Sequence, residues 1–264
     1  MSEKKIRLGG MALANGVLVH GPDAWACAVR SDDGELRIAS GFKSIRSARV
    51  ERRFLQGPAR IAEVFALLPR VRRALPEARL PFERPAVLAA MAFGAALVHL
   101  VRSSDRVSPL AKELVGAAAS LAPAALAMRG SELPAYHGAE HISIGTYEHG
   151  EPRAREHERC GTHLVGPLLA SVSIANVVVA RLPAALRGTG RIGAAFGSLA
   201  AATELFGWMV RHPENRVARA LARPGHEFQH RFATAEPTPE QLEVAQAALA
   251  ACLELETSGV ATAA

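Results

Sequence analysis

Aromatic side chains are scarce in this 264-residue chain: they make up 5% of it, although hydrophobic residues make up 49%. The apolar mass is therefore mainly alanine, leucine and valine, a profile that suits tightly packed helices. Cysteine is scarce too. Cys27, Cys160 and Cys252 are too few and too scattered for a disulfide framework, so they read as thiols that stay reduced or bind metal, and the polar parts read as cytosolic. Lysine is limited to Lys4, Lys5, Lys43 and Lys112, so arginine carries nearly all the positive charge behind the net +6. No aromatics interleave the arginine clusters and no nucleic-acid motif accompanies them, so no nucleic-acid partner is expected. The charged opening, MSEKKIRLGG, lacks the apolar run of a signal peptide, and the amino terminus is expected to stay inside. The length and apolar content exclude disorder and a miniature scaffold.

Residues 6–41 alternate apolar and polar side chains around turn signals at Gly9-Gly10, Asn15-Gly16 and Gly21-Pro22. Trp25 to Arg30, the turn Ser31-Asp32-Asp33-Gly34, and Leu36 to Ala39 form a hairpin signal, so a small β unit is expected here. Residues 50–79 change to helical spacing, with Phe54, Leu55, Ile61, Val64, Phe65, Leu68 and Val71 on one side and arginines on the other. This pattern predicts amphipathic helices lying on a membrane, interrupted at Gly57-Pro58 and Pro69; helices covering a soluble core would give the same pattern.

Four stretches approach membrane-spanning length: Pro85 to Val101, Leu110 to Met128, Thr162 to Ala180 and Ile192 to Val210. They are rich in alanine and glycine and carry His99, Lys112, Glu113 and Glu204, so buried helices of a soluble all-α protein are the competing reading. Four spans would leave short loops outside near Ser103 to Val107 and Arg181 to Arg191, with most arginines and both termini inside, as the positive-inside bias requires. The expected organisation is a β-rich unit at 1–49, amphipathic connecting helices at 50–84, a mainly α membrane domain at 85–212 and a cytosolic helical region at 213–264. The last helix has a clear start, with Thr238, Pro239, Glu240 and Gln241 forming a capping box, and 257–264 reads as a frayed tail.

The strongest chemical pattern is His137-Gly138-Ala139-Glu140-His141, an H-x-x-E-H sequence in the cytosolic segment 131–162. On a helix, His137 and His141 share a face and reach one metal ion, while Glu140 neighbours them and serves as a base toward water. Glu148 shares that face but lies about 10 Å beyond His141 along the axis, too far for the same coordination shell. A third ligand is expected from Cys160 or His157 in the polar stretch His157 to His163, or from Glu204, a carboxylate inside an apolar span. Sulfur at Cys160 favours zinc. A buried free cysteine with solvated histidines is the plainer reading of that stretch, and an arginine near a helix end the plainer partner for Glu204. His226-Glu227-Phe228-Gln229-His230 spells H-E-x-x-H, but Pro224-Gly225 before it and Glu236-Pro237 after it leave barely two turns, so a polar surface helix is expected. The glycines at 9, 10 and 21 form no phosphate loop and are expected to supply turns.

With these residues in view, the chain resembles the YqhQ-like family of bacterial membrane proteins, a domain of unknown function described as predicted metal-dependent enzymes. The resemblance rests on Gly9-Gly10-Met11-Ala12, Gly16-Val17 and Gly21-Pro22, on Tyr136 to His141, Tyr147-Glu148, His157 and Arg159 to Thr162, and on Pro224-Gly225, Gln229, Thr234, Glu236-Pro237 and Gln241 to Ala245. It implies a membrane setting and a metal, and no established reaction. The chain departs from the family at Asn15, His20 and Ile142, where the pattern carries acidic, basic and lysine residues, and at His226 and His230. The expected function is that of an inner (plasma) membrane zinc protein that hydrolyses an amide or ester of a membrane-associated substrate at the cytosolic face of the lipid bilayer. The alternative is a non-catalytic assembly or transport component with a structural metal.

Overall fold

The structure is a computed structural model that describes residues 5–104 and 106–261. It divides into two compact units: one holds the chain up to Lys43, Arg70–Glu156 and the chain from Arg231, the other Ser44–Pro69 and His157–His230.

The first unit opens with an antiparallel meander of β1 (Gly9–Leu13), β2 (Gly16–His20), β3 (Ala24–Arg30) and β4 (Leu36–Phe42), in that spatial order. The expected hairpin is therefore two strands of a four-stranded sheet. Register puts Val17 opposite Ala28 and Val19 opposite Ala26, and these side chains meet α4 (Leu133–His149) and α8 (Pro239–Ala261). Alanines at 139, 245 and 248 on the helices meet Ala26 and Ala28 on the strands, so an alanine-rich, aromatic-poor composition closes this core with short side chains on both sides. The β3–β4 turn is tied by Asp33, whose carboxyl is held below its ordinary value by the Ser31 hydroxyl, the Glu35 amide and Arg37.

Gly9 and Gly10 are strand residues, not the turn expected from sequence. A Cβ at Gly9 would lie 2.8 Å from the His20 ring across the ladder, and one at Gly10 would collide with the Glu140 carboxylate. Asn15 is buried and donates through Nδ2 to the carbonyls of Arg30 and Glu77, while its Oδ1 accepts from the Arg79 amide. A carboxylate could make only the last of these bonds, which accounts for an amide at this position. The α8 capping box forms as expected: Gln241 N donates to Thr238 Oγ1, and Thr238 N to Gln241 Oε1. The helix does not fray at 257 but continues to Ala261.

In the same unit, α2 (Pro85–Ser103) and α3 (Pro109–Met128) form a hairpin. Gly94 approaches Ala119, and Arg102 meets Glu113 at 3.5 Å, pairings that run antiparallel. Lys112 and Glu113 thus lie near the start of α3, with Lys112 donating to the Arg102 carbonyl, at the polar end of the hairpin.

In the second unit, α5 (Val165–Ala180) packs along α6 (Arg187–Arg211), with Val179 near Gly190 and Ser198 donating to the Ser171 carbonyl, again an antiparallel pair. Among the described residues three helical stretches are long and apolar enough to cross a membrane: Pro85–Ser103, Pro109–Met128 and Gly161–Ala180, with mean hydropathies of 1.7, 1.3 and 1.8. The expected fourth, in α6, has the length but not the apolarity, because Glu204, Thr203 and glycines at 193, 197 and 207 dilute it.

Two further expectations are corrected. The helix α1 (Gln56–Ala74) runs through both expected interruptions, taking Gly57-Pro58 into its first turn and Pro69 into its interior. The helix α7 (Arg216–Phe228) likewise runs through Pro224-Gly225, because its start is set earlier by Asn215, whose Oδ1 accepts from the Val217 and Ala218 amides; a five-residue π turn, Gln229–Ala233, follows.

Glu256 fastens α8 to the sheet by accepting from the Asp23 and Ala24 amides at 2.8 and 2.7 Å, over Gly21, where a Cβ would strike the carboxylate. Glu256→Ala leaves two amides unsatisfied, and thermal or denaturant unfolding is expected to show a loss of about 3 kcal/mol.

Candidate metal centre

The helix α4 starts with Pro134 at its second position and ends at Gly150, which takes the left-handed conformation (φ 77°). His137 and His141 lie on one face with ring centroids 4.3 Å apart. His137 Nδ1 donates to the Ala233 carbonyl at 2.8 Å and His141 Nδ1 to the Arg155 carbonyl at 2.6 Å. A carbonyl oxygen only accepts, so in the neutral ring the proton sits on Nδ1 and the lone pair on Nε2, the orientation that metal-binding histidines adopt.

Gly138, between the histidines, explains how Ala233 comes so close. A side chain there would strike the Ala235 carbonyl, and Ala235 N donates to the Pro134 carbonyl at 2.8 Å, so the 233–235 segment lies directly on the helix. Glu140 is buried, with its carboxylate against Gly10 of β1. The acid of the motif is therefore seated on the sheet side of α4.

The other sequence-predicted residues belong to the second unit. Cys160 is half-buried and precedes the 3-10 turn Gly161–Leu164 that leads into α5; its amide donates to the His157 carbonyl and its own carbonyl accepts from His163 N. His157 Nδ1 accepts from the Arg159 amide at 3.3 Å, which puts the proton of the neutral ring on Nε2, the reverse of the His137 and His141 tautomer. Glu204 accepts at Oε1 from the Phe54 amide at 2.9 Å.

Gln229 is the residue that sequence reasoning missed. It is fully buried, accepts from His157 N at 3.0 Å, and donates from Nε2 to the His157 carbonyl at 3.2 Å and to Thr162 Oγ1 at 2.7 Å. It thereby clamps both ends of the turn that carries Cys160. The available signal was its place as an uncharged letter of the surface-read H-E-x-x-H. His226 and His230 are exposed as expected, with rings stacked 6.5 Å apart. Gly225 seats the same turn, since a Cβ there would lie 2.6 Å from His163 Cα.

Burial raises the thiol of Cys27 to about 12 and that of Cys252 to about 11, so both stay protonated and inert at neutral pH.

One protein family, described as "Protein of unknown function (DUF1385)", matches residues 131–255. That stretch takes in His137, Glu140, His141, His157, Cys160 and Glu204 and leaves out the sheet. No curated protein and no solved structure matches the chain.

In the folded, metal-free protein a maleimide is expected to modify Cys160 and neither Cys27 nor Cys252, as peptide mapping would show. In Gln229→Leu the rate at Cys160 is expected to rise several-fold, because the turn loses its clamp; an unchanged rate would remove Gln229 from this role.

Proposed function

We propose that the chain is an integral membrane protein of the YqhQ-like kind, in which His137, His141 and Cys160 hold zinc and Glu140 serves hydrolysis of an amide or ester in a membrane-associated substrate. The observation that carries the metal reading is the pair of Nδ1–H bonds to the Ala233 and Arg155 carbonyls, which fixes both imidazoles in the ligating tautomer. Cys160, the half-buried thiol of the second unit, is the third ligand that the sequence offers. Two imidazoles and a thiolate suit zinc better than magnesium or calcium.

Three protein ligands rather than four favour catalysis over a structural role. The His157 tautomer supports three: with Nδ1 occupied by the Arg159 amide and the proton on Nε2, that ring offers no lone pair to a fourth bond. Zinc supplies Lewis acidity and brings the pKa of water near neutrality. Glu140, one residue before His141, takes up the proton released in attack and returns it to the leaving group.

The membrane reading is supported by exposure. Phe93 and Leu100 on α2, Leu110 and Leu114 on α3, and Ile174 and Val178 on α5 all stand outside the protein's own core, whereas a soluble helical protein would bury such side chains. The α2–α3 hairpin would return the chain to the side it left, and the arginine excess of the segments outside the apolar helices favours the cytosol for that side.

One observation favours a second reading, a non-catalytic assembly or transport component with a structural metal: the Glu140 carboxylate lies against β1. Zinc per chain and turnover of chromogenic esters and amides separate the two. About one zinc is expected in the wild type and none in a His137→Ala, His141→Ala variant, and Glu140→Gln is expected to keep the zinc and lose at least about 100-fold in turnover. Zinc retained without any turnover in the wild type favours the structural role, and absence of zinc in a preparation never exposed to chelator contradicts both.

A further inference from the structure

Within the second unit, the segment 44–69 combines three features that the metal reading does not use. Its composition is one-sided: the segment carries Arg46, Arg49, Arg52, Arg53 and Arg60 against the acidic residues Glu51 and Glu63, and Glu63 is buried, accepting from the Ser47 amide. Large apolar side chains stand out among those arginines, with Phe54 55% exposed and Leu55, Ile45 and Phe65 at least half exposed. The third is conformational. Phe54 is the one non-glycine residue among those described with positive φ, at 64°, a region that bulky side chains rarely enter. It is held there by Glu204, whose carboxylate accepts the Phe54 amide, while Gly57 lies against Thr203 too closely for a Cβ. Glu204 thus acts on Phe54 from within α6.

Side chains that lie in the boundary between headgroups and acyl chains sit about 5–10 Å deep. Arginine stems reach outward from that depth while their guanidinium groups meet lipid phosphate.

We infer that this surface is an anchor for anionic phospholipid, in which Phe54 and Leu55 enter the acyl boundary, Arg49, Arg52 and Arg53 pair with headgroup phosphates, and Glu204 is the positioning residue that holds Phe54 in place. The inference rests on the membrane reading of α5 and is independent of the metal.

The test uses the full chain in phosphatidylcholine vesicles with and without about 30% phosphatidylglycerol, an anionic membrane of ordinary composition. An environment-sensitive fluorophore is placed at Phe54→Cys and, separately, at Ile174→Cys on α5, in a Cys160→Ser background; Cys27 and Cys252 are fully buried and stay unlabelled. Position 54 is expected to be quenched by lipids with a shallow nitroxide and shielded from iodide. Glu204→Ala is expected to reverse this, and Glu204→Gln, whose side-chain oxygen still accepts the amide, to preserve it. The preference for phosphatidylglycerol over phosphatidylcholine is expected to fall about tenfold in Arg49→Gln, Arg52→Gln, Arg53→Gln. Iodide quenching at 54 with lipid quenching at 174 overturns the anchor and leaves the membrane reading standing, whereas iodide quenching at both overturns the membrane reading itself. Shielding of 54 from both quenchers means that protein covers it, which also overturns the anchor, and an unchanged lipid preference in the arginine variant overturns the anionic selection.

Discussion

Two hydrogen bonds, from His137 Nδ1 to the Ala233 carbonyl and from His141 Nδ1 to the Arg155 carbonyl, set the constraint on which the account of the first unit turns. Each is worth only about 1 kcal/mol to folding. Their consequence for chemistry is larger, because they decide which ring nitrogen carries the lone pair, and such outer partners change metal affinity by about 10- to 100-fold. The surrounding sequence serves them. Gly138 is a glycine so that the 233–235 segment can lie on α4, and Gly10 is a glycine so that Glu140, between the two histidines on the helix, has room under the sheet.

A second constraint comes from solvent. The α2–α3 and α5–α6 hairpins bury little of their apolar surface against protein, and their charges gather at the hairpin ends or find backbone partners, as Arg102 with Glu113 and Glu204 with the Phe54 amide show. Three of these helices, α2, α3 and the stretch ending in α5, are long and apolar enough to cross a membrane, where an unmet charge is expensive. The sheet of the first unit, with α4 and α8, follows the opposite rule and closes an alanine-rich core between strands and helices.

Much of this was legible in the sequence. Period-two alternation gave the strands, the capping box gave the start of α8, and the i, i+4 spacing put the two histidines on one helical face. The failures share a cause. Glycine and proline were read as punctuation, yet Gly9 and Gly10 are strand residues at close contacts, and Pro69 and Pro224 lie inside helices whose starts are set elsewhere. What glycine permits depends on a neighbour distant in sequence, which no local pattern contains. Gln229 was invisible for the same reason: its value lies in three bonds to a turn about seventy residues earlier in the chain. The fourth apolar stretch has the length of a span, but Glu204 and the glycines, visible in the sequence, lower its apolarity further than its alanine content suggests. The histidines were legible as candidate ligands by type, whereas their tautomers, opposite in His141 and His157, depend on backbone partners that no local pattern contains.

X-ray absorption at the zinc edge of the purified full chain addresses the central claim most directly. A ligand set of His137, His141 and Cys160 with one further light atom predicts a single sulfur at about 2.3 Å and three nitrogen or oxygen neighbours at about 2.0–2.1 Å, two of them with imidazole signatures. Loss of the sulfur shell in Cys160→Ser would complete the assignment. A wild-type spectrum with no sulfur neighbour, or with no imidazole, would contradict it.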